Sequence, residues 1–386
     1  MSEHLITLES LPSASDFYAL YWNRQPFFVQ GAIPEADFEN LIAAEELAGL
    51  ALEDEPQSRM VKTAPDYKDW SCHYGPFSED DFAEIGDENW SLLVQNVEQF
   101  HPETSALLRH FTFAPRWLMD DVMVGYSAQG GSVGPHMDSY HVFIVQGQGQ
   151  RHWKVARHGT TDPVYVDGMD LKLLKGGFDG DEIIMACGDV LYVPPTFAHE
   201  GTTLEDALTF SVGFLGPKFS ELLSSYGQYL AECEDSDQRY VGEGLDIQSA
   251  GFDISPATVG TLQDTLVKQL KGKNFTTWLV EFFTESSHED FGAYTEREDT
   301  LSAAAFKVAL EDGASLIKPA YVKFAITGSA DGGFVLGFDS QSFTCGSDLM
   351  PLVRALMGEQ AVDARAFSEH LEFLRELYNH QALEFT

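Results

Sequence analysis

Apolar positions change their spacing twice along the chain. From Asp121 they come in short runs broken by Gly and Pro: Val122 to Ser127, Val142 to Gln146, His152 to Val155, Ile183 to Ala186, Val190 to Val193 and Leu208 to Phe214. Several short strands punctuated in this way predict a β-barrel or sandwich, and a barrel of the cupin kind gathers side chains from facing strands at its mouth. Before this, residues 1 to about 110 read as a mixed, mostly helical cover. Pro26 to Val29 is a short strand candidate there, Pro34 to Leu50 has helical spacing with acidic residues early, and Trp90 to Val97 has the character of a buried segment. Tyr67 to Phe77, with Trp70, Cys72 and His73, reads as packing, because one Cys and one His are too few for a metal site. Trp117 is expected in the core.

Beyond Pro217 the spacing becomes helical. Lys218 to Glu232 precedes an acidic, Gly-containing stretch, Glu234 to Gly244. Ser255-Pro256 then starts a helix carrying Val259, Leu262, Leu266 and Leu270 on one stripe, an arrangement usual for core. From Glu285 the pattern predicts a helix over Thr300 to Leu310, strands over Tyr321 to Thr327 and Gly333 to Phe338 joined by a turn at Gly328 to Gly332, and two closing helical segments. No repeat or low-complexity segment interrupts this order.

Charge narrows the partners. With 23 basic and 61 acidic residues the net charge is −38, which disfavours direct nucleic-acid binding and suits attraction of a basic protein. A generally acidic, solvated surface would look the same. No apolar run approaches the roughly 18 residues that span a bilayer, and the N-terminus lacks a basic start and an apolar signal core. Export is therefore not expected, and a cytoplasmic location is. The four cysteines have no CxxC spacing, as expected of free thiols in a reducing compartment.

Candidate chemistry concentrates in Gly130 to Arg151, GGSVGPHMDSYHVFIVQGQGQR. His136 and Asp138 are two apart, which on a strand places both on one face. His199 follows the apolar run Val190 to Val193 and the pair Pro194-Pro195. Two imidazoles and one carboxylate form the facial set of non-haem Fe(II) oxygenases; zinc accepts the same ligands, so the triad alone leaves the metal open. Three other pairings, in His101-Pro102-Glu103, His288-Glu289-Asp290 and His370-Leu371-Glu372, lack a glycine-framed strand context and read as solvated surface. A Gly147-Gln148-Gly149 turn is expected to form a hairpin that folds Arg151, at the start of the next strand, back toward the metal.

The order of these parts resembles the JmjC-type double-stranded β-helix. More narrowly it is similar to the bacterial ribosomal oxygenases, which hydroxylate an arginine of a large-subunit ribosomal protein. The matching stretches are Tyr21 to Phe28 (YWNRQPFF), Asn89 to Gln95 (NWSLLVQ), Gly134 to Gln146 and Gly188 to His199. The resemblance implies an α+β chain: a cupin-like JmjC catalytic core with its N-terminal cover over residues 1–216, a helical dimerisation region over 217–284, and a winged-helix-like domain over 285–386. It implies Fe(II) held by His136, Asp138 and His199, with 2-oxoglutarate and O2 as cosubstrates, succinate and CO2 as products, and hydroxylation at the arginine β-carbon. Arg151 occupies the family's position for the distal carboxylate of 2-oxoglutarate, a role that suits a guanidinium with two parallel hydrogen bonds. Asp121 (with Asp120 as alternative), Tyr140 and Ser211 are implied to hold the substrate arginine by ion pairing and ring packing. A homodimer is expected. The acidic Glu369, Glu372 and Glu376 argue against DNA binding by the last domain. Two alternatives stay open: a JmjC oxygenase acting on another protein side chain or an N-methyl group, and a non-enzymatic cupin-like interaction protein, which has no evident need for the triad and Arg151 together.

Overall fold

The computed structural model describes residues 4–64, 66, 69–168, 171–233, 239–243, 245, 251–285, 300–319, 322–329, 332–358 and 360–386. Tyr67, most of Glu234 to Gly244, the His288-Glu289-Asp290 pairing, Tyr321 and the tip of the Gly328 to Gly332 turn lie outside them. Two compact units divide the chain, Met1–Gly216 and Pro217–Thr386. Among the described residues no helix is long and apolar enough to cross a membrane.

The first unit is built on one ten-stranded sheet. Its strands are β1 (Ile6–Leu8), β2 (Phe27–Val29), β3 (Ser58–Lys62), β4 (Ser71–Tyr74), β5 (Trp90–Val94), β6 (Met119–Ser127), β7 (His141–Ala156), β8 (Gly180–Met185), β9 (Val190–Val193) and β10 (His199–Phe214). The order is β1-β2-β9-β7-β10-β6-β5-β3-β4, with β8 added to the far half of β7. Every pairing is antiparallel except β1 with β2.

The first 110 residues therefore do more than cover the barrel, because β2 and β5 extend its sheet on both sides. Pro34 to Leu50 is broken into a 3-10 turn, Glu35–Phe38, and a short helix, Ala44–Leu50. Trp117 is also not core: it is 42% exposed, in a short turn ahead of β6.

The two longest strands, β7 and β10, serve both halves of the barrel. Val142 to Val145 of β7 pair with β9, whereas Arg151 to Ala156 pair with β8. Both halves also pair with β10, but the register shifts between Thr203 and Thr209, opposite Gln146 to Arg151. Gly147 to Gly149 consequently bends a continuous strand and does not reverse it into a hairpin. Gly149 sits at φ +67°, and a Cβ there would collide with the Asp206 carbonyl across the ladder, so the bulge needs glycine.

Alternation on β7 sorts two apolar layers. Phe143 enters an aromatic cluster with Phe111 (4.7 Å), Tyr192 (4.9 Å) and Phe17 (5.7 Å), all fully buried. Val142 and Ile144 face the other side with Leu191, Val193 and Trp153. A fully buried Phe of this kind is worth roughly 3–5 kcal/mol on truncation to Ala, so the aromatic layer holds the barrel closed behind the site.

In the second unit Ser255 caps the helix Pro256–Leu270, its hydroxyl accepting from Thr258 N at 3.2 Å, and Ser302 caps Ala303–Glu311 in the same way. The expected apolar stripe of the first helix is not core here: Val259 and Leu266 are 43% and 65% exposed. Strands β11 (Leu316–Ile317) and β15 (Glu384–Phe385) pair with each other, and β12 (Phe324–Gly328), β13 (Phe334–Phe338) and β14 (Gln341–Cys345) form an antiparallel sheet. The helix Lys273–Thr284 packs on that sheet, with Val280 against Ala325 and Val335.

Candidate metal centre

His136 and Asp138, expected at the mouth of a strand with a strand's alternation, lie in the segment just before β7, which begins at His141. Gly134 at φ +77° and Pro135, which lacks an N–H, keep this stretch out of a regular ladder. Only His136 is paired, in a single bridge with His199 at the head of β10. His136 N donates to His199 O at 3.1 Å, and His199 N to His136 O at 3.0 Å. That bridge sets the two imidazoles side by side, ring centroids 4.3 Å apart. Asp138 completes the group: one ligand atom from each of the three residues lies within 4.8 Å of the others, and no second such cluster occurs among the described residues.

The backbone also sets which ring nitrogens face inward. His136 Nδ1 is 2.9 Å from Gly134 O and His199 Nδ1 is 3.1 Å from Phe197 O. A carbonyl only accepts, so each Nδ1 carries a proton and each Nε2 is the nitrogen left to present a lone pair to a metal. His199 Nε2 is 3.4 Å from one Asp138 oxygen, and His136 Nε2 is 3.9 Å from the other. Acceptors aimed at one another in this way repel unless a cation stands among them. The donor set therefore fits a divalent metal, with backbone carbonyls as its outer support. Burial, aided by the neighbouring His199, holds His136 down to about 4. For Asp138 burial acts upward, but the basic side chains gathered around it, His199, His136 and Arg59, prevail and hold it down to about 2. Both are thus in their ligating forms at neutral pH.

The three residues line a cavity of about 360 Å³, and Arg151 lines it too. Arg151 is 6% exposed on β7. Its Nη2 donates to Gly201 O at 2.9 Å and its Nη1 to Thr209 Oγ1 at 3.4 Å, while Nε has no partner. Its guanidinium carbon lies 4.8 Å from the centroid of the Trp153 ring. Among the described residues no carboxylate reaches it, and burial pulls its pKa down to about 10. A buried cation without a counter-ion is costly, and the arrangement fits a ligand that brings a carboxylate.

The residues implied for substrate do not all meet. Tyr140 and Ser211 line the cavity, Ser211 from β10. Asp121 does not line it and sits within β6, not ahead of it. It stands one layer back, where a Cβ on Gly213 would lie 3.1 Å from its Oδ1 and 3.6 Å from the Tyr140 ring. Burial, with the charges of Asp138 and Asp121, drives the Tyr140 hydroxyl far above its ordinary range. Sequence reasoning missed Arg59, which reaches the cavity from β3; nothing in its surroundings along the chain marks it. It also missed Trp153, which strand alternation from Arg151 could have found.

A barrel mouth carrying two histidines and a carboxylate, with a lone buried arginine behind them, defines a metal-dependent oxygenase site of the cupin class. Residues 106–222 match the JmjC domain family. The ribosomal protein uL16 3-hydroxylase of Escherichia coli strain K12 is 36% identical over 277 residues, 71% of this chain and 72% of that protein. A probable ribosomal oxygenase of Haemophilus influenzae is 39% identical over 207 residues, 53% of this chain and 50% of that one. The crystal structure of E. coli ycfD superimposes with a TM-score of 0.82 at 30% identity, covering 96% of this chain and 98% of that one. The structure of that ribosomal oxygenase with cobalt and 2-oxoglutarate gives 0.78 at 30% identity, with 99% of each chain covered. The chain belongs to the JmjC-domain ribosomal oxygenases.

Proposed function

We propose that this chain is an Fe(II)- and 2-oxoglutarate-dependent oxygenase that hydroxylates the β-carbon of an arginine in a large-subunit ribosomal protein, the uL16 protein for which its E. coli relative is named. The observation that carries the reading is convergence. His136, Asp138 and His199 share one cavity with Arg151, a buried cation that no described carboxylate compensates. In this reading His136 and His199 hold the metal through Nε2 and Asp138 through its carboxylate, while Arg151 seats the distal carboxylate of 2-oxoglutarate. The metal and cosubstrate supply O2 activation, coupled to release of succinate and CO2. The protein's task is placement: Tyr140 and Ser211 bracket the substrate guanidinium, with Asp121 behind Tyr140 as its counter-charge, and Val142 and Ile144 keep water from the reacting carbon. The −38 charge favours encounter with a basic substrate, and a ribosomal substrate places the reaction in the cytoplasm.

Residues 1–216 form the catalytic domain in this proposal, 217–284 a dimerisation region and 285–386 a winged-helix-like domain for protein contact. Phe219 (86% exposed), Leu223, Phe252, Ile254 and Leu266 are large apolar side chains left open to solvent between residues 219 and 266, and a second copy of the chain is the partner that would cover them. Sedimentation at micromolar concentration is expected to give a dimer; monomer alone removes that assignment. The reaction is tested by intact mass of each large-subunit ribosomal protein from cells with and without the gene. One protein is expected to carry an extra oxygen, placed on arginine by fragmentation, only when the gene is present. No mass difference overturns the ribosomal substrate.

A further inference from the structure

A residue lining the cavity carries a buried polar atom that the reading above leaves unused. Trp153 is 4% exposed, and Nε1, its one polar side-chain atom, has no hydrogen-bond partner among the described residues. Buried indole N–H groups are normally satisfied; this one is closed to solvent but belongs to a residue that lines the cavity, so it points to an acceptor that arrives with a ligand and settles against the ring. Trp153 is two residues past Arg151 on β7 and shares its face. The two side chains are stacked, guanidinium carbon 4.8 Å from ring centroid, and Arg151 Nε is likewise without a partner. Across the ladder from Trp153 stands Gly201, where a Cβ would come within 2.9 Å of three ring carbons. The missing side chain lets the indole lie over β10, toward His199, whose ring centroid is 6.2 Å away.

Resting on the 2-oxoglutarate reading, we propose that Trp153 Nε1 is a second donor to the distal carboxylate of the cosubstrate, beside Arg151. A carboxylate has two oxygens and about four lone-pair directions, so the guanidinium and the indole can take different ones. Two donors fixed on neighbouring same-face positions of one strand also locate that carboxylate in space. Trp153 is thereby a residue that selects oxo acids by the position of their second acid group.

Trp153→Phe keeps an aromatic ring beneath Arg151 and removes the N–H. The assay is calorimetric titration of the full-length, Mn(II)-loaded protein with 2-oxoglutarate and, separately, with 2-oxobutanoate, which lacks the distal carboxylate. The variant is expected to bind 2-oxoglutarate about tenfold more weakly, the loss of one hydrogen bond to a charged acceptor, and to bind 2-oxobutanoate as the parent does. Unchanged affinity for 2-oxoglutarate, or an equal loss for both acids, overturns the proposal. If the parent itself does not bind 2-oxoglutarate, the cosubstrate reading fails and this one with it. Should the variant not fold, the parent still decides the matter through the indole N–H resonances of its six tryptophans in the Zn(II) form. One is expected to move downfield with 2-oxoglutarate and not with 2-oxobutanoate; no such difference overturns the proposal.

Discussion

Replacing Arg151 with methionine separates the two reasons for which an arginine can be buried. If it is a structural cation, removing it exposes partners that depended on its charge, and breaking such a buried pair costs roughly 3–5 kcal/mol. The surroundings of Arg151 give a different expectation. Burial brings its pKa from 12.5 to about 10, which corresponds to a cost on the order of 3 kcal/mol for keeping the charge in the folded chain. Because the folded value lies below the unfolded one, that cost is present in full below about pH 10 and fades only above it. Against it stand two hydrogen bonds to neutral acceptors, Gly201 O and Thr209 Oγ1, each worth about 1–1.5 kcal/mol. The terms nearly cancel. Arg151→Met should leave the ligand-free protein within about 1 kcal/mol of the parent in urea unfolding. The same variant should lose on the order of 100-fold in affinity for 2-oxoglutarate, read by titration of the Mn(II)-loaded protein, because two charge-assisted hydrogen bonds disappear. A variant that is 3–5 kcal/mol less stable yet binds 2-oxoglutarate normally would show that Arg151 is part of the scaffold and not the cosubstrate seat.

His199→Ala removes one of the three ligands and should abolish Fe(II)-dependent 2-oxoglutarate turnover; undiminished succinate formation would eliminate this residue from the metal site. Gly134→Ala should weaken metal binding about 10- to 100-fold, since φ +77° and the Leu173 methyl 2.5 Å from the new Cβ both force the Gly134 carbonyl off His136 Nδ1; parental affinity in a competition assay would refute this. His141 is stacked on Trp22 at 3.5 Å and bonded to the Tyr192 hydroxyl at 2.8 Å, and burial holds it down to about 4. Its folded value lies below the unfolded 6.5, so the unfolded chain takes up the proton first. Stability should fall between about pH 6.5 and 4, by on the order of 3 kcal/mol from this group. His141→Phe should start about 1 kcal/mol lower at pH 7, with the Tyr192 hydroxyl left only its backbone hydrogen bond at Asn23, but lose less on acidification. An unchanged acid slope in chemical unfolding would contradict the assignment.

Local signals were the legible ones. The Gly-rich approach and the His136, Asp138 spacing mark a segment that the structure does bring to His199 and Arg151, and Ser255 announces its helix through the first-turn N–H group that it caps. What the sequence concealed depends on partners far along the chain. Strand β3, SRMVK, is too short to declare itself and is held by pairing with β5 some 30 residues later. Arg59 enters the cavity only as a result of that pairing. Gly147 to Gly149 reads locally as a reversal, and only pairing with the long partner β10 on both sides of the bend shows one continuous strand. Trp117 was assigned to the core on residue type alone, which says nothing about a turn at the edge of the barrel.

The bulge in β7 acts as a switch of parity. Val142 and Ile144 line the cavity at even positions, yet Arg151 and Trp153 line the same cavity at odd ones. The step of seven from Ile144 to Arg151 would put those two residues on opposite faces of an unbroken strand. On β10 the residues lining the cavity, His199, Thr209 and Ser211, keep one parity, because that strand gains two residues, one between Thr203 and Glu205 and one between Glu205 and Leu208, and the two cancel. The one residue that β7 gains between Gln146 and Gln148, opposite the step from Leu208 to Thr209, is therefore what turns the arginine and the tryptophan inward. Deleting a single residue between Gly147 and Gln150 would leave the apolar wall in place and rotate both donors out toward solvent. Deleting two residues there would restore the parity and return both side chains to the cavity face.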